Sequence, residues 1–157
     1  NVLPATIGTK FMSKSIQKAS FLVATLKAIS IIHQHNHWTA KGTNFYEHHL
    51  LFERVYNLAI EDLDLVAERF VGIYGREFLN FKNQNTLLTT ILKRYESFAI
   101  DDYVNQSLTI ETDCIALLDE VSKTLIEEKS STLGLNDLLG TVASNRETAC
   151  YLLKQSL

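Results

Sequence analysis

At 157 residues, with 46% hydrophobic side chains and one proline, the chain has the length of one ordinary domain and enough apolar material for a core. Its formal charge of -3 and pI near 5.9 exclude an overall attraction to phosphate backbones, so any contact with nucleic acid has to be local. Cys114 and Cys150 are too few for a disulfide scaffold, lack CxxC spacing and read as reduced core residues.

In chain order, residues 1–12 read as an N-terminal tail and 13–157 as one helical domain. The opening NVLPATIGTK lacks the charged-then-apolar form of a signal peptide, which makes the cytoplasm the expected location, with nucleoid association a further option. A first helix is predicted from about Ser13 to Thr39, with Leu22, Leu26, Ile29 and His33 on one stripe. Its most apolar part, Phe21 to Ile32, is broken by Lys27 and Ser30 and falls short of the ~20 residues that span a bilayer, so no membrane partner is expected.

Gly42 suits the left-handed position that ends this helix, and Asn44 with Glu47 has the form of a capping box. The second helix, about Asn44 to Val71, carries Phe45, His49, Phe52, Tyr56, Ala59, Leu63, Val66 and Phe70 in steps of four and three, and Gly72 and Gly75 end it. A short crossover helix is predicted from near Asn85, as required if the second and third long helices run the same way. The third long helix spans about Glu96 to Lys129, with Val104, Leu108, Ile115, Leu118 and Leu125 facing inward; Gly134 precedes a fourth, about Asn136 to Leu153. The fold class is all-α, a four-helix bundle with one extra short helix. No P-loop or GxSxG motif directs the reading toward nucleotide or hydrolase chemistry.

The chemistry concentrates in the first two helices. His49, Glu53, Asp64 and Glu68 fall within an arc of roughly 100° on the second helix, yet the pairs His49/Glu53 and Asp64/Glu68 are centred ~22 Å apart along its axis. Metal-ligand bonds are only about 2 Å, so one ion cannot touch both pairs of one chain. Two copies of the helix packed antiparallel about a two-fold axis near Leu58 and Ala59 bring His49/Glu53 of one onto Asp64/Glu68 of the other. With His37 at the end of the first helix, the set holds two imidazoles and three carboxylates, which suits iron or zinc better than calcium or magnesium. His33, one turn before His37, is a candidate additional ligand, and His35 and His48 add nearby imidazoles.

His37-Trp38 followed by Gly42, Phe45, His49, Phe52-Glu53 and Asp64-x-x-Ala67-Glu68-Arg69 resembles the signature of the Dps family, the DNA-binding proteins from starved cells. The resemblance implies a ferritin-like bundle assembled as a hollow dodecamer. It also implies ferroxidase sites shared at two-fold interfaces, where His37, His49 and Glu53 of one subunit meet Asp64 and Glu68 of the next. It further implies Fe(II) oxidation by hydrogen peroxide or dioxygen, storage of Fe(III) mineral and protection against oxidative stress. Asp137 resembles an acidic position of the family's three-fold iron-entry pores, with Glu127 and Glu128 as neighbours, although an acidic helix start explains it too. The chain departs from the family pattern in lacking a proline after the second helix and in the low acidity of STLGLND.

Two other functions compete with this expectation. One is a nucleoid DNA-binding protein, against which stand the negative charge and the thin basic run Lys10, Lys14 and Lys18. The other is a shell that sequesters zinc without turnover, since zinc competes for the same imidazole and carboxylate donors.

Overall fold

The computed structural model describes residues 13–157, so the predicted tail and its Lys10 lie outside the described residues. Among the described residues there are four long helices, α1 (Lys14–Thr39), α2 (Phe45–Tyr74), α4 (Tyr103–Glu127) and α5 (Leu133–Lys154). A 3-10 turn (Arg76–Phe78) and the short helix α3 (Phe81–Lys93) lie in the crossover, and no strand occurs among the described residues. This is the all-α bundle that the sequence implies.

α1 packs against α2 and α4, and α5 packs against the same two, so α1 and α5 occupy one diagonal of the bundle. α3 lies against α1. Covered from three sides, α1 tolerates apolar residues around most of its girth: Leu22, Leu26 and Ile29 are fully buried, as expected, and so are Ala19 and Ala28. Each such leucine or isoleucine contributes ~1.5–3 kcal/mol relative to exposure.

Capping chemistry sets several boundaries. Ser13 accepts from the Ile16 amide to open α1, Asn80 from Asn83 to open α3, and Thr132 from Leu135 to open α5. α3 therefore begins before Asn85, and α5 before Asn136, with Gly134 inside its first turn. The predicted Asn44–Glu47 capping box does not form: Asn44 has φ -100° and ψ 25° and makes no side-chain cap bond. Gly42 is left-handed as expected, at φ +93°. Gly72 stays helical, and α2 continues to Tyr74, where Gly75 (φ +89°) ends it.

The third long helix starts seven residues later than Glu96, at Tyr103. The intervening chain turns instead, because the Tyr95 ring is buried and its hydroxyl donates to Asp113 at 2.6 Å, while Gln106 reaches back to the Tyr95 carbonyl at 3.0 Å. α4 ends in a Schellman motif, with Ser130 N–H bonded to Leu125 O and Lys129 N–H to Ile126 O. Lys129 holds the left-handed position at φ +57°. Its inward stripe also differs from the sequence reading: Val104, Leu118 and Leu125 are buried, but Leu108 and Ile115 are only half-buried, and Ser107, Glu111 and Cys114 take the inner positions.

Candidate metal centre

The turn at 40–44 folds the end of α1 against the start of α2 and brings His37 beside His49. The Nδ1–H of His37 donates to the His49 carbonyl at 2.8 Å, and the Nδ1–H of His49 donates to the His37 carbonyl at 2.9 Å. Each ring thereby fixes the other. The two imidazoles stack with centroids 3.9 Å apart and an interplanar angle of 20°. Phe45 stacks on His49 at 5.2 Å, and Tyr56 meets His37 edge-on at 5.4 Å.

This reciprocal pairing settles which nitrogen is free. With both Nδ1 atoms donating to carbonyls, the neutral form of each ring has its lone pair on Nε2, the arrangement in which an imidazole ligates metal. Glu53, one turn beyond His49, is exposed and adds a carboxylate to the same end of α2.

Asp64 and Glu68 are also exposed, on the far half of α2. Among the described residues of the chain, no three His, Cys, Asp or Glu side chains come together in a metal-binding group. The structure thus joins His37 to His49 and leaves Asp64 and Glu68 apart from them.

His33 does not extend the pair. It is fully buried, with Nε2 2.8 Å from Glu111 Oε1 and Nδ1 3.1 Å from Ser107 Oγ, so neither nitrogen is free. His48 turns to Tyr103, its Nδ1 2.6 Å from the hydroxyl, and His35 is exposed on the α1 face that carries Ile31. The extra histidines serve separate places.

Asp137 is exposed near the start of α5. Glu128, its expected neighbour, instead accepts from the amide and hydroxyl of Ser15, and these bonds hold its carboxyl below the usual carboxylate range. Lys18 reaches α4 through Thr124 Oγ1 at 3.0 Å, which takes it out of any free basic run.

A second constellation, which the sequence reading passed over, lies inside the bundle. Each long helix gives one side chain, His33, Asp62, Glu111 and Arg146, and none is more than 1% exposed. Arg146 Nη1 donates to Glu111 Oε1 at 2.9 Å, and its Nη2 lies 3.2 Å from Asp62 Oδ2. Asn145 donates to the other Asp62 oxygen at 2.8 Å. Burial raises the Asp62 pKa from its ordinary value, against the opposing pull of Asn145 and Arg146. The signal was present: Asp62, Glu111 and Arg146 each stand on their helix's buried stripe, between residues such as Ala59 and Val66, Val104 and Leu118, and Val142 and Ala149.

No protein-family model and no curated protein matches the chain. Solved structures do. Over 90% of this chain and 88% of the other, it superposes on Dps from Thermosynechococcus elongatus with TM-score 0.77 at 17% identity. An archaeal Dps homologue from Halobacterium salinarum gives TM-score 0.77 at 15% identity, covering 92% of this chain and 79% of that one. The Vibrio cholerae Dps protein, described as a member of a broad superfamily of ferritin-like diiron-carboxylate proteins, gives TM-score 0.74 at 16% identity over 90% and 87% of the two chains. The chain has the fold of the Dps proteins.

Proposed function

We propose that this chain is a Dps-like ferroxidase and iron-storage protein whose sites are completed across a two-fold interface between subunits. The observation that carries the reading is the His37/His49 pair, whose Nδ1 atoms are reciprocally bonded to backbone carbonyls. Two imidazoles are held in fixed orientation before any metal arrives, which lowers the ordering cost of binding.

The outer face of α2 supports the shared site. At ~100° per residue, Tyr46, Leu50 and Ile60 fall in the same arc as Glu53, Asp64 and Glu68, and these three apolar residues are 66%, 43% and 40% exposed. An antiparallel contact with a second α2 covers them and sets the carboxylates of one copy against the imidazoles of the other. Trp38, 67% exposed beside His37, packs into the same contact.

Iron is the substrate in this reading. Two ferrous ions give one electron each to hydrogen peroxide, its O–O bond breaks, and two protons complete two waters. Dioxygen serves as the alternative oxidant. Glu53, Asp64 and Glu68 favour the product because anionic oxygens stabilise the higher charge of the ferric ion. His37 and His49 orient the substrate through Nε2 and hold their protons on Nδ1. Ferric ions then hydrolyse and mineralise within a hollow shell, twelve subunits by analogy with the family, in the cytoplasm, where removal of peroxide and free iron limits oxidative damage.

Anaerobic titration of metal-free protein with Fe(II), followed by peroxide or air, tests the function. Saturable binding and rapid oxidation, both lost in His37→Ala, are expected. Wild-type oxidation no faster than that of the variant overturns the proposal.

A further inference from the structure

The buried constellation at the bundle centre is separate from the interface set, and neither fold nor ferroxidase reading requires it. His33, Asp62 and Glu111 are ligand-type residues from three different helices; Asp62 and Glu111 face a guanidinium supplied by the fourth, and His33 joins them through Glu111. Bundle interiors are where carboxylates and imidazoles from facing helices hold metal in ferritin-like di-iron proteins. Here Arg146 stands among them. We propose that Arg146 is the residue that closes this interior to metal, and that removing its guanidinium opens an intrasubunit site for one divalent transition-metal ion.

Two observations carry the inference together. The first is hydrogen bonding, which the cluster does not exhaust. Asp62 Oδ2, Glu111 Oε2, Arg146 Nε and Arg146 Nη2 are buried without a hydrogen-bond partner, although the Asp62 and Arg146 charges face each other at 3.2 Å. Unused carboxylate lone pairs thus remain inside the protein, a costly arrangement that a metal ion relieves directly.

The second is charge. Asp62 and Glu111 bring two negative charges into a region of low dielectric, and Arg146 returns one positive charge. A divalent ion with a neutral His33 balances both carboxylates, whereas the same ion added beside Arg146 puts three positive charges against two negative ones. The guanidinium and the dication therefore exclude each other. The donor set is the two carboxylates together with His33 Nε2, which would have to turn from Glu111 Oε1 to the ion, and it suits Fe(II), Co(II) or Zn(II) rather than Ca(II). Truncation of Arg146 also removes its guanidinium and part of its stem from beside these donors, and that is the space an ion with water would take.

Cobalt(II) is the probe, and every protein carries His49→Ala so that the result does not depend on the interface site. The parent is expected to bind no interior cobalt. Adding Arg146→Ala is expected to bind about one further ion per subunit by equilibrium dialysis, with new visible absorption and a cobalt-dependent rise in Tm. Adding Glu111→Gln to that protein is expected to abolish all three. Unchanged stoichiometry in folded Arg146→Ala protein overturns the proposal, as does a cobalt ion in the parent that Glu111→Gln removes. Should Arg146→Ala not fold without metal, refolding with cobalt but not magnesium is the supporting result, and failure to refold with either is the refuting one.

Discussion

The proposed shared site makes a numerical prediction for mixed subunits. Within one α2 the pairs His49/Glu53 and Asp64/Glu68 are centred ~22 Å apart, so a subunit cannot complete its own site. His49→Ala and Glu68→Ala proteins should each be inactive alone, because each spoils both sites of its own dimer. In a heterodimer the two lesions fall in the same site and leave the other intact. Random reassortment gives half heterodimers with one good site in two, so the mixture should recover about a quarter of the wild-type rate, whatever the size of the shell. Mixing His49→Ala with Glu53→Ala is the control. Both lesions then lie on the same half-set, neither site is intact and no recovery is expected. The assay is the initial rate of peroxide-driven Fe(II) oxidation, with exchange verified by native mass spectrometry of differently tagged subunits. No recovery in the first mixture after verified exchange, or equal recovery in the control, refutes the two-fold geometry.

The two carboxylates that share Arg146 should differ in cost. Asp62→Asn keeps an acceptor for Asn145 and leaves Glu111 to balance Arg146, so urea unfolding at neutral pH should stay within ~1 kcal/mol of wild type. Glu111→Gln faces the His33 and Arg146 donors with a neutral amide and should cost about 3 kcal/mol; the reverse order would count against the pairing. Replacing His33 by alanine should lower stability by ~2–3 kcal/mol while leaving iron stoichiometry unchanged, whereas His37→Ala should lose iron binding at a smaller cost in stability. Loss of iron binding in the first variant would return His33 to the ligand set. The folded pKa of Glu128 is depressed below its ordinary value of 4.5, so its contribution is complete above that value and disappears as pH falls through the folded one. The protection of the Ser15 amide, taken relative to its intrinsic exchange rate at each pH, should therefore fall on acidification through this range in wild type and be low already at neutral pH in Glu128→Gln. Lys129→Gly relieves a left-handed lysine and should stabilise by ~1 kcal/mol, a rise in Tm of about 3 °C, which a thermal melt checks; a fall would mean that the lysine side chain contributes more than its backbone costs.

The path from sequence to structure was clearest where a single helix contains the information. The stripe Leu22, Leu26, Ile29 and His33, the break at Gly42 and the common face of Glu53, Asp64 and Glu68 all follow from 3.6-residue periodicity and one glycine. Helix ends were less legible, since they depend on competition between neighbouring caps. Asn80 outcompeted Asn85 for the start of α3, and burial of the Tyr95 ring delayed α4 to Tyr103. The mutual His37/His49 bonds were not legible at all. They join side chains to backbone carbonyls twelve residues away across a turn, and no periodicity encodes that approach.

His33 and His37 show why residue type is an insufficient guide to ligation. They stand one turn apart on α1, with the same chemistry and nearly the same facing. At the level of His33 the opposing α4 presents Glu111 and Ser107, and both ring nitrogens are spent on side chains in the core. At the level of His37 the opposing group is the first turn of α2, whose His49 carbonyl engages Nδ1 alone. One imidazole is therefore a structural member of a buried charge network, and the other retains a free Nε2. The same distinction separates the carboxylates, because Glu111 and Asp62 are held against Arg146 while Glu53, Asp64 and Glu68 stay exposed. The number of uncommitted donor atoms, rather than the number of histidines and acids, is what separates the exposed set from the buried one.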